Sequence, residues 1–287
     1  MPSSRPCLVA VLAGVLCGAP AVAQVTAGDA PPRRVVSMNL CTDQLAMMLA
    51  APGQLVSVSN LATDERGSAL AAEARAYPPN RGLAEEIYLM QPDLVLAGAF
   101  TARATVSMLE RLGVRVESFP PAYGLDDVPA QMLRMGDLLG RRAEAEAMVA
   151  RYRADLAAFR ADVARNPRAA LYSANGYTQG DESLSGQILL AAGFTNVAAE
   201  AGYSDGGFLP LELLVMLTPE AIVTDRPYPA ASRAEEVMTH PALLASQDAR
   251  AQGTLSDRDW VCGTPFVLRA VAEMAALRRS LTEGDAP

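Results

Sequence analysis

One unbroken stretch, Arg141 to Arg165 (RRAEAEAMVARYRADLAAFRADVAR), most constrains how this chain can fold. It holds no Gly or Pro until Asn166-Pro167 stops it, and it is rich in Ala, Glu, Arg, Leu and Met, all strong helix formers. Apolar residues recur at Ala145, Met148, Tyr152, Leu156, Phe159 and Val163, in steps of three and four with charges between them. That is the pattern of a helix with one packed face. At 1.5 Å per residue, about 25 residues make a rod of roughly 37 Å, well beyond a mean helix. Such a helix can be an ordinary long element of one domain. The sequence on its two sides points instead to a connecting rod.

The two sides follow one plan. Before the rod stand Arg34-Val35-Val36-Ser37-Met38-Asn39 and Pro92-Asp93-Leu94-Val95-Leu96-Ala97-Gly98; after it stand Arg168-Ala169-Ala170-Leu171-Tyr172-Ser173 and Pro219-Glu220-Ala221-Ile222-Val223-Thr224-Asp225. Each half opens with an apolar strand and has a second strand announced by Pro and an acid. A short helix precedes that second strand, and its Glu85 and Glu212 each stand seven residues before the Pro. Strands alternating with helices predict an α/β fold with mainly parallel sheets flanked by helices. The expected division is an N-terminal lobe over 33–125, helices including the rod over 126–166, and a C-terminal lobe over 167–287.

Within the first half, the pattern predicts strand Val35–Met38, a helix from Gln44 to Ala50 capped by Thr42 or Asp43, strand Leu55–Val58, and an irregular stretch from Asn60 to Asn80 with a helical piece around Ser68–Ala76. Helix Glu85–Met90, strand Leu94–Ala97, a helix to Leu112, strand Val114–Phe119 and helix Val128–Leu139 follow. The second half reads as strand Ala169–Ser173, helix Leu184–Ala192, strand Ile222–Thr224, a short helix from His240-Pro241, strand Gly253–Leu255 and a closing helix Phe266–Leu281.

The 287 residues are 51% apolar, enough for two modest cores. Net charge is −8, from 24 basic and 32 acidic residues, and every cation is Arg. Without Lys there is no Schiff base and no Walker Lys, and the acidic balance argues against nucleic acid. At the start, Arg5 precedes an apolar run from Cys7 to Gly18, and Ala21-Val22-Ala23 offers a small-residue cleavage site before Gln24. This reads as a secretory signal peptide over 1–23, cleaved after Ala23, with a flexible leader over 24–32. The run is too short to span a bilayer, and Leu16 is bulky where lipidation at Cys17 wants a small residue. After cleavage Cys41 and Cys262 remain. In an oxidising compartment they form a disulfide or stay as two free thiols, with a two-thiolate metal site a third arrangement.

In parallel α/β sheets, ligands bind beyond the carboxyl ends of strands. The loops there hold Leu40, Cys41 and Thr42; Phe100 and Thr101; Asn175 and Tyr177; Arg226 and Tyr228; and Trp260, the only Trp. The Gly-rich aromatic stretch Tyr203–Phe208 adds Tyr203 and Phe208. Aromatic residues are 5% of the chain, yet they gather in these loops. Singly each can plug a core beneath its loop; as a set from both halves they predict a cleft for a large, partly apolar ligand. Catalysis finds little support. The one His, His240, stands before Pro241 at a helix start, and no nucleophile elbow or dinucleotide motif lies in a strand–turn–helix setting. No cofactor is expected, and a bare metal ion lacks the usual His and Cys ligands.

Arg34–Asp43, Pro92–Gly98 and the Asp259-Trp260 turn before a terminal helix together resemble the periplasmic binding proteins of iron-siderophore and cobalamin ABC importers. The resemblance spans roughly Arg33 to Leu281. It implies two α/β lobes joined by one long rigid helix, a ligand cleft between the lobes, a periplasmic location and no enzymatic step. It also implies that the protein is a monomer that takes a small-molecule metal chelate to an ABC permease dimer in the inner membrane. The family docks through one surface Glu on each lobe, and the matching positions are Glu85, with Glu86 beside it, and Glu212. In the family's ligand loops this chain has Asn80 and Arg81 where cobalamin binders often carry Trp; Arg81, Arg226, Tyr177, Tyr228 and Trp260 fit a siderophore cleft loosely. Cys41 and Cys262 are not general features of the family. A haem or other large apolar ligand, a chelate-modifying enzyme on this scaffold, and a receptor that signals through a partner are the alternatives.

Overall fold

The computed structural model describes residues 30–161, 163, 165–226, 232–248 and 251–283. The predicted signal peptide, most of the predicted leader and Tyr228 therefore lie outside the described residues. The chain runs β1 (Val35–Ser37), α1 (Leu40–Leu49), β2 (Leu55–Ser59), α2 (Ala71–Ala74), β3 (Pro79–Asn80), α3 (Ala84–Leu89), β4 (Leu94–Gly98), α4 (Arg103–Arg111), β5 (Val116–Phe119), α5 (Asp127–Leu139) and α6 (Arg142–Ala161). It continues with β6 (Arg168–Leu171), β7 (Tyr177–Thr178), α7 (Leu184–Ala191), β8 (Thr195–Asn196), α8 (Val197–Glu200), β9 (Gly207–Phe208), α9 (Leu211–Leu217), β10 (Ala221–Asp225), α10 (Pro241–Asp248), β11 (Ala251–Leu255), α11 (Asp257–Trp260) and α12 (Val267–Glu283).

Two parallel sheets form, ordered β3-β2-β1-β4-β5 and β11-β10-β6-β8. β1 and β4 are buried along their whole length, as strands covered on both faces must be. In each sheet the first strand is central and later strands add to both of its sides. That makes a switch point beside β1 and another beside β6, where α/β sheets leave a crevice. A third pairing, the antiparallel β7–β9, has strands of two residues, too short to leave a periodic trace in the sequence.

The predicted rod is α6. Its buried face is Ala145, Val149, Tyr152 and Leu156, and these belong to one core cluster with Leu45 and Leu94 of the first lobe and Leu171 and Val271 of the second. The Tyr152 hydroxyl donates to the carbonyl of Leu125, 3.0 Å away, in the loop before α5. Gly140 takes φ 68° between α5 and α6. Gly136 lets the two helices close: a Cβ there would come within 2.5 Å of the Ala145 methyl.

The internal repeat has a physical counterpart. Asp93 accepts from the backbone N–H groups of Arg33 and Arg34, and the Arg34 guanidinium donates to the Met90 carbonyl at the end of α3, 2.7 Å away. In the second lobe Glu220 accepts from the N–H of Arg168, whose guanidinium donates to the Leu217 carbonyl at the end of α9, at 2.8 Å. Each first strand is thus braced to the acid after Pro, and each brace caps a short helix.

Helix α1 starts earlier than predicted. Asn39, not Thr42 or Asp43, is its N-cap, with the side-chain oxygen accepting from the N–H groups of Cys41 and Thr42. Gly98 permits this, since a Cβ there would stand 2.7 Å from the Asn39 amide. Thr42 and Asp43 then fall inside the first turn and are buried. Thr42 bonds Ser37, and Asp43 accepts from the hydroxyl and N–H of Ser59. Asn80 completes this network by donating to the carbonyls of Ser37 and Val58 and the hydroxyl of Ser57. Burial pushes the Asp43 carboxyl up from 3.8 to about 6, against the lowering effect of its hydrogen bonds to Ser37 and Ser59.

Two outcomes are expected. Leu156→Ala should cost about 2–5 kcal/mol of stability, against no more than about 0.5 kcal/mol for exposed Arg153→Ala, read from urea midpoints. Because the folded-state pKa of Asp43 is raised, its contribution to stability is fully present below pH 3.8 and is lost as pH rises through about 6. The stability of Asp43→Asn relative to wild type should therefore improve by on the order of 3 kcal/mol across that window; a pH-independent difference would refute this.

Candidate functional site

The strand-end loops of both lobes carry the candidate cleft. On the first lobe Phe100, just past β4, is 86% exposed, and Leu61 and Tyr123 in the loops after β2 and β5 are also exposed. Arg81 is exposed after β3. Thr101 closes its own turn, accepting from the Gly98 N–H at 3.0 Å. Two of the predicted ligand residues do not face a cleft. Thr42 and Asn80 are fully buried, because their polar groups serve the network under the loops. Leu40 and Cys41, in the first turn of α1, are half-buried.

On the second lobe the turn Ala174–Gly176 follows β6, with Asn175 at φ 59°. It leads to Tyr177 on β7, whose ring meets Phe208 of β9 edge-on at 5.5 Å, an arrangement aromatic pairs favour. Phe208 is 68% exposed. Tyr203 packs instead against the core of this lobe. Trp260 packs against the main core and helps line a recess of about 10 Å³. Ser173, Gln179, Ser185, Thr224 and Asp225 line it too. That is room for one water molecule, and the Trp260 indole N–H is buried there without a hydrogen-bond partner. The carboxyl of Asp225 is pushed up by burial and by nearby Asp257, against the lowering effects of Ser173 and Arg66.

Arg66 carries no periodic or motif signal in its irregular stretch, and sequence reasoning missed it. It reaches from the loop after β2 to the second lobe, with Nε 2.8 Å from Asp257 Oδ2 and a further donation to the carbonyl of Arg226. Arg226 itself is exposed. Asp225, which ends β10, and Asp257, which opens α11 just past β11, were legible as strand-end loop residues but not as a charge pair facing Arg66. Cys41 and Cys262 are joined by a disulfide, Cα–Cα 5.1 Å.

Away from these loops, Glu85 and Glu212 stand exposed in the first turns of α3 and α9. Glu86 accepts from the Arg81 N–H at 2.8 Å, which leaves Glu85 as the carboxylate facing outward. His240 Nδ1 accepts from the Ala242 N–H at the start of α10. Among the described residues no three metal-ligating side chains cluster, and no helix is long and apolar enough to cross a membrane.

Residues 35–256 match the model of the family described as periplasmic binding protein. A cobalamin-binding protein of Halobacterium salinarum is 30% identical over 202 residues, 68% of this chain; the chain spans about half, 54%, of that relative's length. Among solved structures, the periplasmic haem-binding protein RhuT from Roseiflexus sp. RS-1 superposes with TM-score 0.70 at 20% identity, over 87% of this chain and 98% of that one. The vitamin B12 binding protein BtuF of Vibrio cholerae does so with TM-score 0.64 at 17% identity, over 88% and 99%. These relatives are binding proteins rather than enzymes. With its paired parallel sheets about α6 and its matched 35–256, the chain belongs to the periplasmic binding protein family.

Proposed function

We propose that this protein is the periplasmic receptor of an ABC importer, capturing a ferric siderophore or cobalamin-type corrinoid between its lobes and delivering it to a permease dimer in the inner membrane. The observation that carries this reading is the set of exposed aromatic side chains: Phe100 and Tyr123 past strands of the first sheet, and Phe208 on the β7–β9 pair that follows β6 of the second. Such rings offer a large ligand apolar contact at low conformational cost. The shielded charges at these loops nearly balance, with Arg66 paired with Asp257 and Asp225 beside them, while Arg81 and Arg226 are exposed. A chelate rich in free carboxylates gains little there. A corrinoid, whose arms are amides, fits that balance, and the Halobacterium relative is named for cobalamin. No bond is made or broken in the cycle; the protein binds, shields and releases.

Delivery uses Glu85 and Glu212. The paired Arg34–Asp93 and Arg168–Glu220 braces hold α3 and α9 in corresponding places on the two lobes. Each Glu therefore sits at a corresponding site, ready for a cationic group on each half of a dimeric permease.

Titration of Trp260 fluorescence with cyanocobalamin, haemin, and hydroxamate and catecholate ferric siderophores should give saturable quenching by one class, with cyanocobalamin the expected winner. Phe100→Ala and Phe208→Ala should each weaken that binding about tenfold, or 1.4 kcal/mol. Silence across the panel, in both fluorescence and thermal shift, would overturn the ligand class. Glu85→Ala combined with Glu212→Ala should leave affinity unchanged and impair uptake by cells; normal uptake by the double variant would remove the docking role.

A further inference from the structure

The segment after β11 joins the lobes at three points. Asp257 pairs with Arg66 from the loop after β2, and the two side chains are only 14% and 20% exposed. Cys262 is bonded to Cys41 at the start of α1, after β1. Gly263 lies against the loop after β5, so close that a Cβ there would come within 2.2 Å of the Ala122 methyl. In the order of the first sheet these contacts fall past β2, β1 and β5. The segment therefore lies as a band across the carboxyl edge of the first sheet, with Trp260 and Val261 between its ionic and covalent anchors.

The two anchors differ from ordinary interface packing. A disulfide holds its Cα atoms within roughly 4.4–6.8 Å, so the lobes cannot part at this point while the bond is intact. It closes a loop spanning 221 residues, one that contains α6. The lobes are thus linked once along the chain and once across space. Breaking the Arg66 contact would leave Asp257 beside Asp225 with no cation between two shielded carboxylates, a costly arrangement.

We propose that Asp257–Gly263 is an interlobe strap that sets the width of the ligand cleft, with Cys41, Cys262, Arg66 and Asp257 as positioning residues. Ligand enters and leaves without separation of the lobes at the cleft floor, and Trp260 is held in place before ligand arrives. A cleft ordered in advance lowers the ordering cost of binding. The inference rests on reading these loops as the ligand seat, but its test needs no ligand.

The test measures lobe spacing directly in protein purified from the periplasm. Nitroxides on non-cysteine unnatural amino acids at exposed Ser107 of α4 and Ala276 of α12 report the interlobe distance by double electron–electron resonance. Oxidised wild type should give one narrow distribution. Cys41→Ser with Cys262→Ser should broaden it, and adding Arg66→Gln should broaden it further and shift it to longer distances. Circular dichroism checks folding, and wild type reduced after folding replaces the serine variant if that does not fold. The same narrow distribution in every form would overturn the strap. Widening supports it even if the chelate panel finds no ligand, in which case the receptor reading fails alone.

Discussion

The packed face of α6 is the contact on which the rest of the molecule depends. Ala145, Val149, Tyr152 and Leu156 touch a core that includes strands and helices of both lobes, so the lobes do not have separate foundations. A helix of 20 residues is stiff over about 30 Å, and burying a Leu or Tyr side chain is worth a few kcal/mol of apolar transfer. The Tyr152 hydroxyl adds a directional bond to the Leu125 carbonyl. That bond ties the rod to the loop between β5 and α5, at the carboxyl edge of the first sheet.

On that base the two lobes repeat one solution to one problem. A short helix ends just before a central strand, its last carbonyls need donors, and the strand beside it begins with Arg. In both lobes the guanidinium caps the helix while the acid after Pro takes the backbone N–H groups. The brace uses charge-assisted bonds, which are shorter and stronger than neutral ones. Its repetition sets Glu85 and Glu212 in the first turns of corresponding short helices.

The carboxyl edges of the sheets carry both a buried polar network and exposed aromatic side chains. Side chains there divide into two sets. Thr42, Asp43, Ser59 and Asn80 face inward and hold the loops from below, at the cost of a carboxyl pushed toward neutrality. Phe100, Phe208 and Tyr123 face outward with little to cover them. Between the lobes, Arg66 and the Cys41–Cys262 bond hold the two edges together.

Sequence alone determined the helical rod, the longer parallel strands, their order along the chain and the spacing of Glu85 and Glu212 before Pro; the two-residue strands β3 and β8 were too short to leave a pattern. Those features rest on local periodicity and on Pro, Gly and acid at fixed offsets, all present within a few residues of one another. The ranking of Asn as an N-cap could have placed the start of α1 at Asn39; a Thr-Asp pair nearby competed for that role, and only the approach of Gly98 decided it. The facing of side chains was not legible. Asn80 looks like a loop polar residue until Ser57 arrives from β2, and Thr42 until α1 turns it back onto Ser37 of β1. Arg66 has no local signal because its partners are 160 and 191 residues away. Whether Cys41 and Cys262 meet was equally open, since their separation in sequence is 221 residues. Contacts of that range depend on how two whole sheets are set about α6, which no local pattern encodes.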